Sequence, residues 1–271
     1  MRLRFDLAYD GTAFHGWAAQ DGLRTVQGEI ELWLSRILRI DAPCLVVAGR
    51  TDAGVHASAQ VAHLDVADDV VAADLRARLE RVLPEDVVVH NVSHVSPDFD
   101  ARFSAVRRHY RYLIWDLDSR PDPIRRTDVC RVPRQLDLGV MNTAGQSLLG
   151  LHDFAPFCKR RDGATTIREL QRLETTRLDD SARTIAVEVS ADAFCHSMVR
   201  SLAGALVAVG GRERDLHWLS ETAKGSVRAN DVYVMPANGL TLIGVDYPPD
   251  DQLAARAAQA RSTRTLAIEE M

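Results

Sequence analysis

Apolar and polar residues alternate from Leu3 to Tyr9 in this 271-residue chain, which predicts a strand ended by the turn Asp10-Gly11-Thr12. Helical spacing then takes over: Val26, Ile30, Trp33, Leu34, Ile37 and Leu38 fall on one face of a helix over 26–40, with Thr25 as its N-cap. Strands are expected at 44–48 and 60–66, a helix at 74–83 closed by Pro84, and a strand at 87–95. The rhythm returns in the second half. A strand at 108–116 carries Tyr110, Tyr112 and Ile114, and a helix at 138–149 stops at Gly150. Strands follow at 167–177 and 184–190, then helices at 196–209 and 215–223, and a closing strand at 240–247 before Pro248-Pro249. Antiparallel-type strands mixed with a few helices predict an α+β fold, with the sheet covered by helices. The best boundary lies near residues 97–108, separating an N-terminal half, 1–105, from a C-terminal half, 106–248, and leaving a tail, 249–271, that is helical or frayed.

Composition adds little to that picture. Hydrophobic residues make up 46% and charged residues 26%, ordinary for a globular protein. No apolar run approaches the roughly 18 residues of a membrane span, and the start reads as a strand instead of a signal peptide, so the expected residence is cytoplasmic. Cys44, Cys130, Cys158 and Cys195 show no CxxC spacing and are read as small apolar fillers.

Charge changes the picture more. The net charge of −5 speaks against a nucleic-acid partner, but it averages over distinct regions. Residues 65–86 hold seven acidic side chains against three arginines, a balance of −4, while 99–134 hold nine arginines against five aspartates, a balance of +4. A polyanion could therefore dock on the middle third while the rest stays acidic. A solvated Arg-rich surface would give the same count.

Three segments carry candidate chemistry. Ala48-Gly49-Arg50-Thr51-Asp52-Ala53-Gly54-Val55-His56-Ala57 sets a cation and a carboxylate on a small-residue loop between two strands. Such strand-end loops hold reactive groups in fixed geometry, although an Asx turn at Asp52 would give the same letters. Arg107-Arg108-His109-Tyr110-Arg111-Tyr112 interleaves basic and aromatic side chains, the pattern that neutralises phosphates and stacks on unpaired bases. Ala193 to Arg200 places one cation, Arg200, at an otherwise apolar helix start, where it needs a carboxylate partner. Metal-like groupings are weaker. His56 with His63, Asp116 with Asp118 on one face of a strand, and His152 with Asp153 are each read as structural, so no metal is expected.

With YDGTAFHGW, TVQGEIE, GRTDAGVHASAQVAHLD, FDARFSAVRRHYRYLI, LLGLHDFAPFC, DAFCHSMVRSLAGALVAVG and Asn238-Gly239-Leu240, the chain resembles the TruA family of tRNA pseudouridine synthases. The likeness runs over about residues 3–247. It implies the pseudouridine synthase fold, with two similar halves and an active-site cleft between them. It also implies isomerisation of uridines 38, 39 and 40 in the tRNA anticodon stem-loop by a homodimer. Asp52 matches the catalytic aspartate, Tyr110 the tyrosine on the target base, Arg200 the arginine paired with the carboxylate, and Leu240 an apolar residue of the pocket. Arg50 matches the arginine that holds the flipped nucleotide, and Val55 would add apolar lining. Ala18 after Trp17 and Ser197 before Met198 depart from the family pattern. The chemistry asks for no cofactor. Two other classes stay open at this point, an RNA-binding module without catalysis and a metal-dependent hydrolase using Asp116 and Asp118.

Overall fold

The computed structural model describes residues 1–160, 163 and 165–262. They form two compact units, Met1–Val106 with Thr241–Ser262, and Arg107–Leu240.

In the first unit the opening alternation becomes β1 (Arg2–Tyr9), whose Leu3, Phe5, Leu7 and Tyr9 are buried while the residues between them are half-buried. Each such side chain contributes about 1.5–3 kcal/mol of apolar burial. Strand β1 lies antiparallel between β3 (His56–Asp65) and β4 (Val87–Val95), and the two-residue β2 (Val46–Val47) adds to β3. The strand expected at 60–66 thus starts four residues earlier, at His56. Helix α1 (Val26–Leu38) buries Val26, Ile30 and Leu34, and the Thr25 hydroxyl accepts from the Gly28 N–H as the cap requires. Helix α2 (Ala72–Val82) buries Leu75 and Leu79 and stops at Leu83, before Pro84.

The second unit is built on β5 (Arg107–Trp115), β8 (Ile167–Arg177) and β9 (Ile185–Ala191), with β9 antiparallel between the other two. Strand β5 loses its alternation at the end: Leu113, Ile114 and Trp115 are all buried, because β6 (Cys130–Arg131) and a cluster of Val129, Ala182 and Ala186 cover it. Helix α3 (Leu138–Gln146) ends three residues short of expectation. Leu148 and Leu149 donate to the carbonyls of Gly145 and Gln146, tightening the chain, and Gly150 at φ +105 reverses it into β7 (Gly150–Asp153) beside β8. Helix α4 (Met198–Gly210) is apolar nearly all round and correspondingly buried. Helix α5 (Leu216–Ala223) follows.

Strand β10 (Leu240–Asp246) runs parallel to β3 from Thr241, so the sheet of the first unit takes a strand from the far end of the chain. Of the tail, Leu253–Arg261 is helix α6, which seats Leu253 against Val61, Phe99 and Ala101; residues 263–271 lie outside the described residues. Among the described residues, ten strands and six α-helices match the α+β class expected.

Two expectations are corrected. Cys158 and Cys195 are not separate fillers but a disulfide pair, with Cα atoms 5.7 Å apart, brought together because β8 and β9 return the chain past the turn at Ala155–Phe157. Asp116 and Asp118 do not share a strand face, since β5 ends at Trp115 and both lie in the turn beyond it. There the Asp116 carboxylate, with no side-chain exposure, takes a two-pronged hydrogen bond from Arg177 at 3.1 and 2.9 Å and one from Ser119 at 2.9 Å. Burial pushes this carboxyl up, but the Arg177 and Ser119 contacts outweigh it and hold it below the ordinary value. Its contribution to stability is therefore complete above the unfolded carboxyl pKa of about 3.9 and fades as pH falls through the lower folded value. Arg177→Met should cost about 3–5 kcal/mol by leaving a buried charge without its partner. Thermal unfolding of the variant at neutral pH checks this, and a midpoint within a degree of the parent would contradict it.

Candidate active site

Asp52 lies on the loop that joins β2 to β3 in the first unit, half-buried between Thr51, 7% exposed, and the surface residue Ala53. Arg50 on the same loop is exposed, and Val55 is 2% exposed. Small residues let this loop close on itself: the Val55 N–H donates to the Asp52 carbonyl at 3.2 Å.

The segment after β1 grips the loop from the other side. The Trp17 N–H donates to the Thr51 carbonyl at 3.1 Å and the Gly54 N–H to the Phe14 carbonyl at 3.3 Å. Gly16, at φ +92, sits where a Cβ would come 2.8 Å from the Thr51 carbonyl oxygen, so only glycine fits both the backbone angle and the space. Further along, His56 Nδ1 lies 3.0 Å from the Gly11 N–H, which donates to it, and 3.1 Å from Asp10 Oδ1.

Side chains complete the grip. Tyr9 Oη and Thr51 Oγ1 are 2.8 Å apart, and Gln60 Nε2 donates both to Tyr9 Oη at 3.2 Å and to the Gly49 carbonyl at 2.9 Å. Burial pushes the Tyr9 phenol up to about 12, against hydrogen bonds from Thr51 and Gln60 that pull it down, so it keeps its proton at neutral pH. No local pattern marks Gln60, which alternation alone assigns to a strand without a function. Its burial, at 0% exposure, is the signal, and that is a tertiary quantity.

The second unit holds the other candidates. Tyr110, 7% exposed, stands opposite Val189 on β9, and its ring meets Phe194 edge-on with centroids 5.1 Å apart. Arg200 lies in the first turn of α4 and donates from Nε to the Met235 carbonyl at 2.7 Å, while the Met235 N–H donates to the Arg200 carbonyl at 3.2 Å. That exchange ties the helix to the segment leading to Leu240, which is 5% exposed. The start of α4 is fixed as well, through the Cys158–Cys195 bridge and a Lys159 N–H to His196 carbonyl bond of 2.9 Å. Tyr112, beside Tyr110 in sequence, donates its hydroxyl to the Pro236 carbonyl at 2.8 Å, and burial pushes its phenol well up. Arg50, Asp52 and Val55 thus share one loop of the first unit, and Tyr110, Arg200 and Leu240 belong to the second.

The metal-like groupings have local roles. His63 Nδ1 accepts from the Ala101 N–H at 3.0 Å, His152 Nε2 bonds the Leu149 carbonyl at 2.8 Å, and Asp153 Oδ1 accepts from the Ala155 N–H at 3.0 Å.

Comparison with known proteins connects these features. A family model described as tRNA pseudouridine synthase matches residues 144–248. A protein of Cutibacterium acnes named tRNA pseudouridine synthase A is 58% identical over 97% of this chain and 95% of its own length. Proteins of the same name from Frankia casuarinae and Mycobacterium leprae are 50% and 47% identical, over 97% and 98% of this chain and 96% of their own lengths. Identity of this extent over nearly the whole chain leaves one conclusion: the chain belongs to the tRNA pseudouridine synthase A family.

Proposed function

We propose that this protein isomerises uridines 38, 39 and 40 of the tRNA anticodon stem-loop to pseudouridine, with Asp52 as its catalytic carboxylate. The observation that carries the reading is the fixed Arg50-Thr51-Asp52 step, held by bonds to Gly49, Thr51 and Gly54 in a chain nearly coextensive with enzymes of that name.

The reaction breaks the N1–C1′ bond of uridine and joins C5 to C1′. N1 gains a proton and C5 loses one, so the mass is unchanged. The reacting atoms are shut inside a stacked stem, and turning the nucleotide out costs a few kcal/mol. Tyr110 offsets about 1–3 kcal/mol of that by stacking. A carboxylate can attack C1′ or remove the 2′ proton, and Asp52 serves in either route. Arg200 serves as the catalytic arginine, and Arg50 holds phosphate or the flipped nucleotide. Val55 and Leu240 offer apolar surface to the detached uracil. In this reading the enzyme works in the cytoplasm as a homodimer. Among the described residues no helix is long and apolar enough to cross a membrane.

Incubation with unmodified tRNA transcripts, followed by carbodiimide labelling and primer extension, should reveal pseudouridine at 38–40. Binding without any isomerisation would favour an RNA-binding module instead. In the same assay Tyr110→Ala should lower kcat about 5- to 150-fold, the equivalent of one lost base stack. An unchanged rate would remove Tyr110 from the site.

A further inference from the structure

We propose that Tyr9, Thr51 and Gln60 form a buried positioning chain that sets where the Asp52 carboxylate stands. The proposal rests on the assignment of Asp52 as the catalytic group.

The three side chains are 4%, 7% and 0% exposed and come from β1, the catalytic loop and β3. An apolar core could fill this space with Phe, Val and Leu. Polar groups in such a place need partners, and here the chain provides them. Gln60 Oε1 accepts from the Val61 N–H at 3.2 Å, while Nε2 reaches Gly49 at 2.9 Å and Tyr9 at 3.2 Å. Gln60 donates to the phenol oxygen, which in turn shares a hydrogen bond with Thr51 Oγ1, 2.8 Å away. The bonds thus run from β3 through β1 into the loop.

The loop is thereby held at two points before Asp52. Gln60 fixes Gly49 directly, and Tyr9 fixes the side chain of Thr51, whose carbonyl Trp17 fixes in turn. Hydrogen bonds are directional where apolar contacts are not, so they constrain angle as well as distance. With both sides of Thr51 bonded, the neighbouring Asp52 has little freedom to swing. A displacement of about 1 Å at a reacting group is enough to lower turnover about a hundredfold.

The test compares Thr51→Val, which keeps the shape and loses the hydroxyl, with Thr51→Ser, which keeps the hydroxyl. Tyr9→Phe, which removes the phenol that links Gln60 to Thr51, is the second line, and Asp52→Asn is run beside them. Thr51→Val and Tyr9→Phe should each lower kcat at least about tenfold with KM for tRNA changed less than about threefold, and Thr51→Ser should restore most of kcat. Circular dichroism verifies that each variant is folded; should Tyr9→Phe fail to fold, the Val and Ser pair decides. Equal kcat for Thr51→Val and Thr51→Ser would overturn the proposal. An active Asp52→Asn would instead overturn the assignment of the carboxylate, so the two failures are told apart.

Discussion

Pseudouridine formation should fall by about 10⁴-fold or more in Asp52→Asn, the scale of loss when a reacting side chain is removed from an otherwise intact site. Asn matches Asp in size and can keep the turn, but it neither attacks C1′ nor takes a proton. Affinity for tRNA should stay within about tenfold, because phosphate contacts dominate binding and the arginines of residues 99–134 are untouched. The two quantities are measured separately: tritium release from tRNA labelled at uridine C5 reports the isomerisation, and filter binding reports the affinity. Turnover near that of the parent enzyme would remove Asp52 from the chemistry.

Gly11→Ala should also lower turnover strongly, although Gly11 is not among the candidate site residues. A Cβ at Gly11 would lie 2.1 Å from the Val55 carbonyl oxygen and 2.5 Å from its carbon. Both are backbone atoms, so the loop or the turn at Gly11–Ala13 must move by about 1 Å to restore van der Waals contact. That movement also pulls on the Gly11 N–H to His56 bond. Turnover should drop about a hundredfold, and overpacking should cost about 1–3 kcal/mol of stability. Gly22→Ala is the control. Gly22 has φ +73 with nothing within 4 Å of a Cβ, so the substitution brings backbone strain of about 1–2 kcal/mol and no push on the loop. A Gly11→Ala enzyme as active as Gly22→Ala would show that the turn does not hold the catalytic loop.

Local patterns carried much of the fold. The alternation of Leu3, Phe5, Leu7 and Tyr9 and the spacing of Val26, Ile30 and Leu34 report which face is buried, and the structure buries those faces. The end of α3 and the strands β6 and β7 escaped notice for the opposite reason. Two to four residues hold no full period, and Cys130–Arg131 is a strand only because β5 lies beside it. The cysteines show the same limit, since a spacing of 37 residues carries no sign of a bridge that the return of β8 and β9 creates. Of the site, the glycine-flanked Asp52 loop was legible because turns and reactive groups leave local letters. The residues that grip it were not.

By itself, then, the sequence determined the helices and long strands, the α+β class, the family and the loop that bears Asp52, all of which rest on neighbours a few positions apart. Only the tertiary structure decided what Tyr9, Gln60, Gly11 and Asp116 do. Tyr9 meets Thr51 across 42 positions and Gln60 across 51, and Asp116 meets Arg177 across 61. A polar side chain in a strand reads as solvated until packing removes its water, and its partner is then whichever residue the fold has brought within hydrogen-bond reach.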